Sequence, residues 1–161
     1  MVISSLPIYE QFKLKYPSKV TKNRYGKCLV AKEDLGRGDV VQRYEGFILD
    51  CYADVPLNEI CYALAIGTDH YMIVQSDARY INHACTPNCD IDQDYYVVTL
   101  EPLKKGEELT VCYNEIEPEH KGMTYFWDPR WSFTCHCGSA NCIGKIDKYT
   151  VYKRPMNVTE W

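Results

Sequence analysis

The spacing of cysteines near the C-terminus constrains the fold more than any other feature. Cys135, Cys137 and Cys142 fall close together, and three such thiols form an incomplete zinc site, because structural zinc takes four nitrogen or sulfur ligands. A polar, turn-rich segment at residues 82–89, NHACTPNC, carries further thiols about fifty residues upstream. A fourth ligand from that segment would join two distant parts of the chain in one site.

The residues alone leave the fourth ligand open. Cys85 and Cys89 both lie in the upstream segment, and His136 stands between two of the later cysteines, where its side chain would point away from them. Four thiolates leave no position for substrate or water, so the expected role of the metal is structural. Metal binding and folding of this region should therefore be coupled.

The bulk properties describe a single globular domain. The chain has 161 residues, of which 46% are hydrophobic and 25% charged, and it can bury one core. No apolar run reaches the length of a membrane span, and residues 1–10 lack the pattern of a secretion signal. Nine cysteines, an odd number with metal-like spacing, predict a reducing intracellular compartment with metal-bound thiols rather than disulfides.

The net charge gives a weaker indication about partners. Eighteen basic and 22 acidic side chains give a formal charge of −4. This balance disfavours direct nucleic-acid binding and suits a basic peptide ligand. A monomer is the default expectation.

Short strands separated by glycine- and proline-marked turns predict an all-β or β-rich α+β fold. The predicted strands are residues 40–49, 71–74, 95–100 and 109–113, with turns at 35–39 and 104–107. Residues 56–66 are predicted to form a short helix, because Pro56 suits a first turn and Gly67 would end it. Residues 1–25 are expected to hold one short strand or turn, and residues 114–134 an ordered loop.

Several motifs, in the same order along the chain, resemble those of the SET-domain lysine methyltransferases. Residues 82–89 resemble the family's NHSCxPNC signature, and RYI at 79–81 resembles the RFI in front of it. ELTVCY at 108–113 resembles ELTFDY, GKCLVAK at 26–32 resembles GxGVFAK, and residues 135–144 resemble the post-SET zinc segment CxCGxxxCxG. Each motif alone is weak, but together they are specific.

The resemblance implies a β-rich α+β SET-domain fold, with small curved sheets, a knot-like core and a C-terminal post-SET zinc segment. It divides the chain into an N-terminal lead-in at residues 1–20, a SET domain at 21–116 with a variable insert at about 51–75, and a post-SET region at 117–161. The implied activity is methyl transfer from S-adenosylmethionine to a lysine of a histone tail or another basic protein segment, with one structural zinc ion.

The resemblance also implies roles for individual residues. Tyr113, which closes the ELTVCY segment, is the implied catalytic residue, whereas a tyrosine without that context is more often a core residue. The alternative role for His83 is a structural one, as a buried histidine held by hydrogen bonds. The implied cofactor-binding residues are Gly26, Lys27, Cys28, Arg79, Asn82, His83, Tyr113 and Ile146. The implied metal ligands are Cys85, Cys135, Cys137 and Cys142.

The resemblance also implies a substrate channel, and its implied residues are Val111, Ile91, Trp131 and Phe133. A valine at 111, where many relatives carry phenylalanine or tyrosine, predicts room for more than one methyl group, unless Ile91 or a tyrosine from elsewhere fills that space. The aromatic residues before the zinc cysteines, Trp127, Trp131 and Phe133, could instead form a hydrophobic cluster that packs the tail down.

Three positions depart from the family pattern. Cys28 replaces the second glycine of GxG, Phe47 replaces the glutamate of YxGE, and Cys112 replaces the aspartate before the catalytic tyrosine. Two other functions compete with catalysis: a non-catalytic SET-like scaffold module, and a zinc-binding interaction domain without cofactor. The presence of Tyr113 and the Asn82–His83 pair favours the enzyme. Its expected location is the nucleus if the protein is eukaryotic or host-directed, and otherwise the cytoplasm.

Overall fold

The computed structural model describes residues 16–50, 52–67, 69–113 and 128–147. Residues 1–15, most of the predicted loop at 114–134, and Trp127 lie outside the described residues. The described chain forms short strands, one α-helical turn and two 3-10 turns. In chain order these are β1 (Ser18–Asn23), β2 (Gly26–Ala31), β3 (Val40–Arg43), β4 (Gly46–Asp50), α1 (Leu57–Ile60), β5 (Ala63–Ile66), β6 (His70–Val74), a 3-10 turn (Asp77–Tyr80), β7 (Asn82–His83), β8 (Cys89–Ile91), β9 (Tyr96–Thr99), β10 (Thr110–Val111), a 3-10 turn (Pro129–Trp131), β11 (Phe133–Thr134) and β12 (Lys145–Ile146).

The strands form small separate sheets. Strands β1 and β2 form a hairpin, β3-β9-β8 and β4-β6-β5 form three-stranded antiparallel sheets, and β11 pairs with β12. The pair β7–β10 is parallel, with Asn82 opposite Thr110 and His83 opposite Val111. Parallel neighbours cannot be joined by a tight hairpin, so this pair places two segments side by side that are far apart in sequence.

Two apolar clusters hold these sheets together. The main cluster is centred on fully buried side chains of several sheets, among them Leu29, Val41, Val97 and Leu109. A second cluster joins the segment around α1 to strand β6 and includes Val55, Ile60, Tyr71 and Ile73, with Trp131 packed against it. The second cluster therefore anchors the C-terminal segment (residues 128–147) at Trp131.

The strand predicted at residues 40–49 consists of two strands. β3 pairs with β9, whereas β4 pairs with β6, so the chain passes from one sheet to another at Tyr44 and Glu45. The Tyr44 N–H still donates to the Tyr95 carbonyl at 2.9 Å. At Gly46 a Cβ would lie 2.0 Å from the Ile73 carbonyl oxygen, so only glycine allows this approach of the two strands.

The helix predicted at residues 56–66 is wrong beyond its first turn. α1 ends at Ile60, and Ala63–Ile66 pairs with β6 as β5. An isolated helix of this length is marginal in water, and the pairing with β6 outweighs its local preference. Gly67 has φ +61° and begins the reversal into β6.

The other predicted elements are present, with shorter bounds in two cases. The strand at 71–74 corresponds to β6, the strand at 95–100 to Tyr96–Thr99, and the strand at 109–113 only to Thr110–Val111. The turn at 104–107 is closed by the Glu107 N–H, which donates to the Lys104 carbonyl at 3.0 Å. Within the described ranges, no helix combines the length and apolar character needed to cross a membrane.

Candidate active site and metal centre

Four cysteine sulfurs converge where the loop after β7 meets the C-terminal segment. The Sγ atoms of Cys85, Cys135, Cys137 and Cys142 all lie within 4.8 Å of one another. The Sγ atoms of Cys85 and Cys135 are 3.8 Å apart, which matches the edge of a tetrahedron with metal–sulfur bonds of about 2.3 Å. The donor set and spacing could therefore hold a metal ion of the zinc type.

The two alternative ligands lie elsewhere. Cys89 is buried in β8 opposite Thr99 and belongs to the main apolar cluster. Burial raises the pKa of its thiol to about 12, as expected for a core thiol. His136 is exposed and is not part of the converging group. Of the three upstream or intervening candidates, the structure thus brings Cys85 to the downstream cysteines.

Hydrogen bonds between the two loops support the cysteine cluster. The Cys85 N–H donates to the Cys137 Sγ at 3.4 Å, and the Thr86 hydroxyl donates to the Asn141 side-chain oxygen at 2.6 Å. Burial alone would raise the pKa of Cys137, but hydrogen bonds with Ser139 and Cys85 lower it to about 6. One ligand is thus readily available as a thiolate, the form that binds metal.

The Asn-His pair and Tyr113 meet at the parallel strands β7 and β10. The Tyr113 N–H donates to His83 Nδ1 at 3.1 Å, and the Tyr113 hydroxyl donates to the Ile81 carbonyl. The Phe133 ring completes an aromatic group, with centroids 6.2 Å from both His83 and Tyr113. Two motifs that are thirty residues apart in sequence therefore share one small site with the C-terminal segment.

The electrostatic surroundings keep both His83 and Tyr113 neutral near pH 7. Burial lowers the pKa of His83 to about 4. Burial of the hydroxyl, with smaller contributions from Glu108 and Tyr62, raises the pKa of Tyr113 above its ordinary value. Tyr113 is nevertheless 47% exposed as a whole, so part of its ring faces solvent. Its hydroxyl can orient a reacting group but is a poor base.

Glu108 is a site residue that the sequence did not single out. Its two carboxylate oxygens accept from the Asn82 amide at 2.7 Å and from the Asn23 amide at 2.9 Å. The buried thiol of Cys28 has its pKa raised by burial and also by this carboxylate. The glutamate that opens ELTVCY was visible in the motif, but its contacts to residues 23 and 82 depend on the folded topology.

Arg79 and Lys27 lie among tyrosines. The Arg79 guanidinium is 3.9 Å from the Tyr62 ring centroid and 3.7 Å from a Glu59 carboxylate oxygen. The Lys27 ammonium is 4.6 Å from the Tyr80 ring centroid. Tyr80 was visible in the RYI motif, whereas no local pattern pointed to Tyr62.

The remaining predicted residues fall into three groups. Gly26 has φ +127° with open space where a side chain would be, and Cys28 beside it is 2% exposed. Ile146 is buried against the cysteine cluster. The members of the predicted substrate channel are divided: Val111 and Ile91 pack in the main core, Phe133 lies beside Tyr113, and Trp131 packs against the second apolar cluster.

The contacts of Trp131 fit the alternative in which it packs the tail down, not the one in which it lines a substrate channel. Its indole N–H donates to the Ile60 carbonyl at 2.9 Å, and its ring meets Tyr71 edge-on at 6.3 Å. Arg130 beside it donates to the Val55 carbonyl at 2.9 Å. These bonds hold the C-terminal segment against the main chain at Val55 and Ile60.

Comparison with known proteins places the chain in a family. The chain is 37% identical over 76 residues to the methyltransferase flvH of Aspergillus flavus, an alignment covering 45% of this chain and 38% of that protein. It is 29% identical over 136 residues to histone-lysine N-methyltransferase 2D of Homo sapiens, covering 73% of this chain and 2% of that protein. The chain thus spans well under half the length of these curated relatives.

A solved structure and a family model agree on the fold. A Plasmodium falciparum protein matches with a TM-score of 0.51 at 14% identity, over 62% of this chain and 94% of that one. The predicted β-rich fold of small sheets, with a C-terminal cysteine cluster compatible with zinc, is confirmed. The SET domain model matches residues 26–114, more than half of the sequence, and the chain belongs to the SET domain family.

Proposed function

We propose that this protein is an S-adenosylmethionine-dependent protein-lysine N-methyltransferase that acts on a histone tail or another basic protein segment. The observation that carries the proposal is the position of Tyr113. Its amide bonds to His83, and its hydroxyl bonds to the carbonyl of Ile81, directly before Asn82. Relatives named as methyltransferases support the same activity.

Two of the residues proposed to hold the cofactor have a polar group or open space with which the cofactor could interact. Arg79 Nε is buried and has no hydrogen-bond partner among the described residues, and open space lies above the Gly26 backbone. We assign cofactor binding to these two residues with Lys27, Cys28, Asn82, His83, Tyr113 and Ile146. When bound, S-adenosylmethionine would supply an electrophilic methyl group carried on a sulfonium sulfur.

The chain's own contribution to transfer is to neutralise and orient the lysine amine. A free lysine amine has a pKa of about 10.4, and desolvation among apolar groups favours its neutral, nucleophilic form. The rings of His83, Tyr113 and Phe133 provide such surroundings. The neutral Tyr113 hydroxyl donates to Ile81 and keeps its oxygen lone pairs to align the amine, so no general base is required.

The four cysteines are proposed to bind one structural zinc ion. A site made of four cysteine ligands is closed to substrate, and here it fixes the C-terminal segment that carries Phe133 beside Tyr113. Val111, Ile91 and Phe133 remain the proposed substrate-channel residues, whereas Trp131 packs against Ile60 and Tyr71 and is assigned to attachment of the C-terminal segment. Val111 and Ile91 would bound the channel from the core, and the small side chain of Val111 predicts transfer of more than one methyl group.

The proposal extends to the substrate, the cellular location and the oligomeric state of the protein. The charge of −4 suits a basic protein segment and not direct nucleic-acid binding. A histone substrate would place the protein in the nucleus, and a non-histone substrate of a prokaryotic protein in the cytoplasm. We propose that the protein acts as a monomer.

The test is a methyl-transfer assay with labelled S-adenosylmethionine, core histones and basic peptides. Tyr113→Phe removes the hydroxyl and should lower the rate by about 100-fold or more. Tyr52→Phe is the matched control, because Tyr52 is 89% exposed. Calorimetry of cofactor binding runs beside the assay. Label that survives Tyr113→Phe would contradict the role of Tyr113, and absence of both label and cofactor binding would leave a zinc-pinned binding module.

A further inference from the structure

His83 uses both of its ring nitrogens, and the two contacts lead in different directions. Nδ1 accepts from the Tyr113 N–H at 3.1 Å, and Nε2 lies 3.3 Å from the Cys85 Sγ. A backbone N–H can only donate, so Nδ1 carries no proton. The neutral ring must then carry its proton on Nε2, where it donates to the sulfur.

A donor to a ligand sulfur has a defined effect on a metal site. Hydrogen bonds to ligating groups orient them, and their loss typically lowers metal affinity by about 10–100-fold. The other end of the same ring holds the main chain at Tyr113, where the chain leaves β10. The ring is therefore a single rigid connection between the cysteine cluster and the tyrosine.

We propose that His83 is a positioning residue that couples metal occupancy of the four-cysteine site to the placement of Tyr113. The inference rests on the proposed function for the identity of the metal and the importance of Tyr113. Metal held by Cys85 fixes the imidazole, and the imidazole fixes the Tyr113 main chain. Because coupling between two sites is reciprocal, a disturbed Tyr113 contact also weakens metal binding, but less than loss of the sulfur contact does.

Two substitutions separate the ends of the ring. An asparagine places its side-chain oxygen near the former Nδ1, so His83→Asn keeps an acceptor for Tyr113 and loses the donor to Cys85. A glutamine places its side-chain nitrogen near the former Nε2, so His83→Gln keeps the donor and loses the acceptor. A residue that merely fills space would not divide its effects in this way.

The 161-residue chain is used for two measurements that need no methyl transfer. Zinc affinity is measured by competition with a chromogenic chelator. Hydrogen exchange of the Tyr113 amide is followed by NMR on protein labelled with 15N-tyrosine, with the signal assigned by its disappearance in Tyr113→Phe. His70→Asn and His70→Gln are matched controls, because His70 is half-exposed and pairs with Asp69.

The expected results differ for the two variants. His83→Asn should weaken zinc binding by about tenfold or more, and its Tyr113 exchange should be the same with and without chelator, because the connection from the Cys85 sulfur to residue 83 is lost. His83→Gln should accelerate Tyr113 exchange by about tenfold and weaken zinc binding much less. Chelation of zinc from the unmodified protein should also accelerate Tyr113 exchange.

Three results would overturn the coupling. These are a His83→Asn variant whose Tyr113 exchange still responds to chelation, an unmodified protein whose Tyr113 amide is insensitive to chelation, and an unmodified protein that binds no zinc. If zinc and exchange behave as expected but no methyl transfer is found, the coupling stands and the proposed enzymatic function fails.

Discussion

The attachment of the C-terminal segment at Trp131 gives a quantitative prediction. The Trp131 indole donates to the Ile60 carbonyl at 2.9 Å, and its ring packs edge-on against Tyr71. Trp131→Phe keeps a ring but removes the donor, whereas Trp131→Ala removes both. Phe133, two residues later, lies beside Tyr113, so loss of this attachment should affect both stability and the site.

The expected magnitudes follow from these contacts. Loss of one hydrogen bond to a buried carbonyl costs about 1–2 kcal/mol in the free energy of unfolding. The edge-on ring contact contributes about 0.5–1.5 kcal/mol beyond burial, and truncation of the partly buried ring adds a further packing loss. Trp131→Phe should thus lose about 1–2 kcal/mol and Trp131→Ala about 3–4 kcal/mol.

Urea unfolding followed by circular dichroism measures these losses. Tyr52→Phe, at an 89% exposed position, should change stability by less than about 0.5 kcal/mol. The reasoning is refuted if Trp131→Phe is as stable as the unmodified protein, or if alanine costs no more than phenylalanine. Either result would mean that the indole contacts do not hold the segment in solution.

Three further predictions concern the site and its surroundings. Glu108→Gln leaves one side-chain oxygen to accept from the two amides of Asn23 and Asn82, so Asn82 is held less firmly. Cofactor affinity measured by calorimetry should then fall by about tenfold, and an unchanged affinity would contradict a role of Glu108 in positioning Asn82. Cys85→Ser should lose the zinc equivalent found by atomic absorption while Cys89→Ser keeps it, and the reverse pattern would exchange their roles. Folding raises the pKa of Cys89 from 9.0 to about 12, so its stabilising contribution is complete well below pH 9 and declines by about 1.4 kcal/mol per pH unit between about pH 9 and 12. Cys89→Ala should flatten this decline in urea titrations, and an equal slope would exclude Cys89 as its source.

Patterns that depend on residue identity were predictable from the sequence. The cysteine spacing indicated a metal site, and the structure brings Cys85 to Cys135, Cys137 and Cys142. The motif that ends in Tyr113 and the Asn-His motif were both recognisable, because together their residue types resemble those of one family. Chemistry at these positions restricts which residue types can stand there, so the function can be predicted from the residue types themselves.

Features that depend on distant pairing were not predictable. Residues 63–66 have acceptable helical character but form a strand, because β6 offers hydrogen-bond partners that only the folded chain provides. The bridge from Asn23 through Glu108 to Asn82 connects three separated segments. The Trp131 bond to Ile60 likewise ends on a main-chain carbonyl, which leaves no trace in residue type.

The parallel pairing of Asn82–His83 with Thr110–Val111 has a consequence for biosynthesis. Strand β7 cannot find its partner until residue 111 has left the ribosome, and the cysteine cluster cannot close before Cys142 has done so. At translation rates of about 5–20 residues per second, synthesis from residue 82 to residue 142 takes several seconds. Strand β7 therefore stays unpaired until residue 111 emerges, and the Cys85 thiol lacks its partner cysteines until Cys142 emerges, so the cysteine cluster closes only late in synthesis.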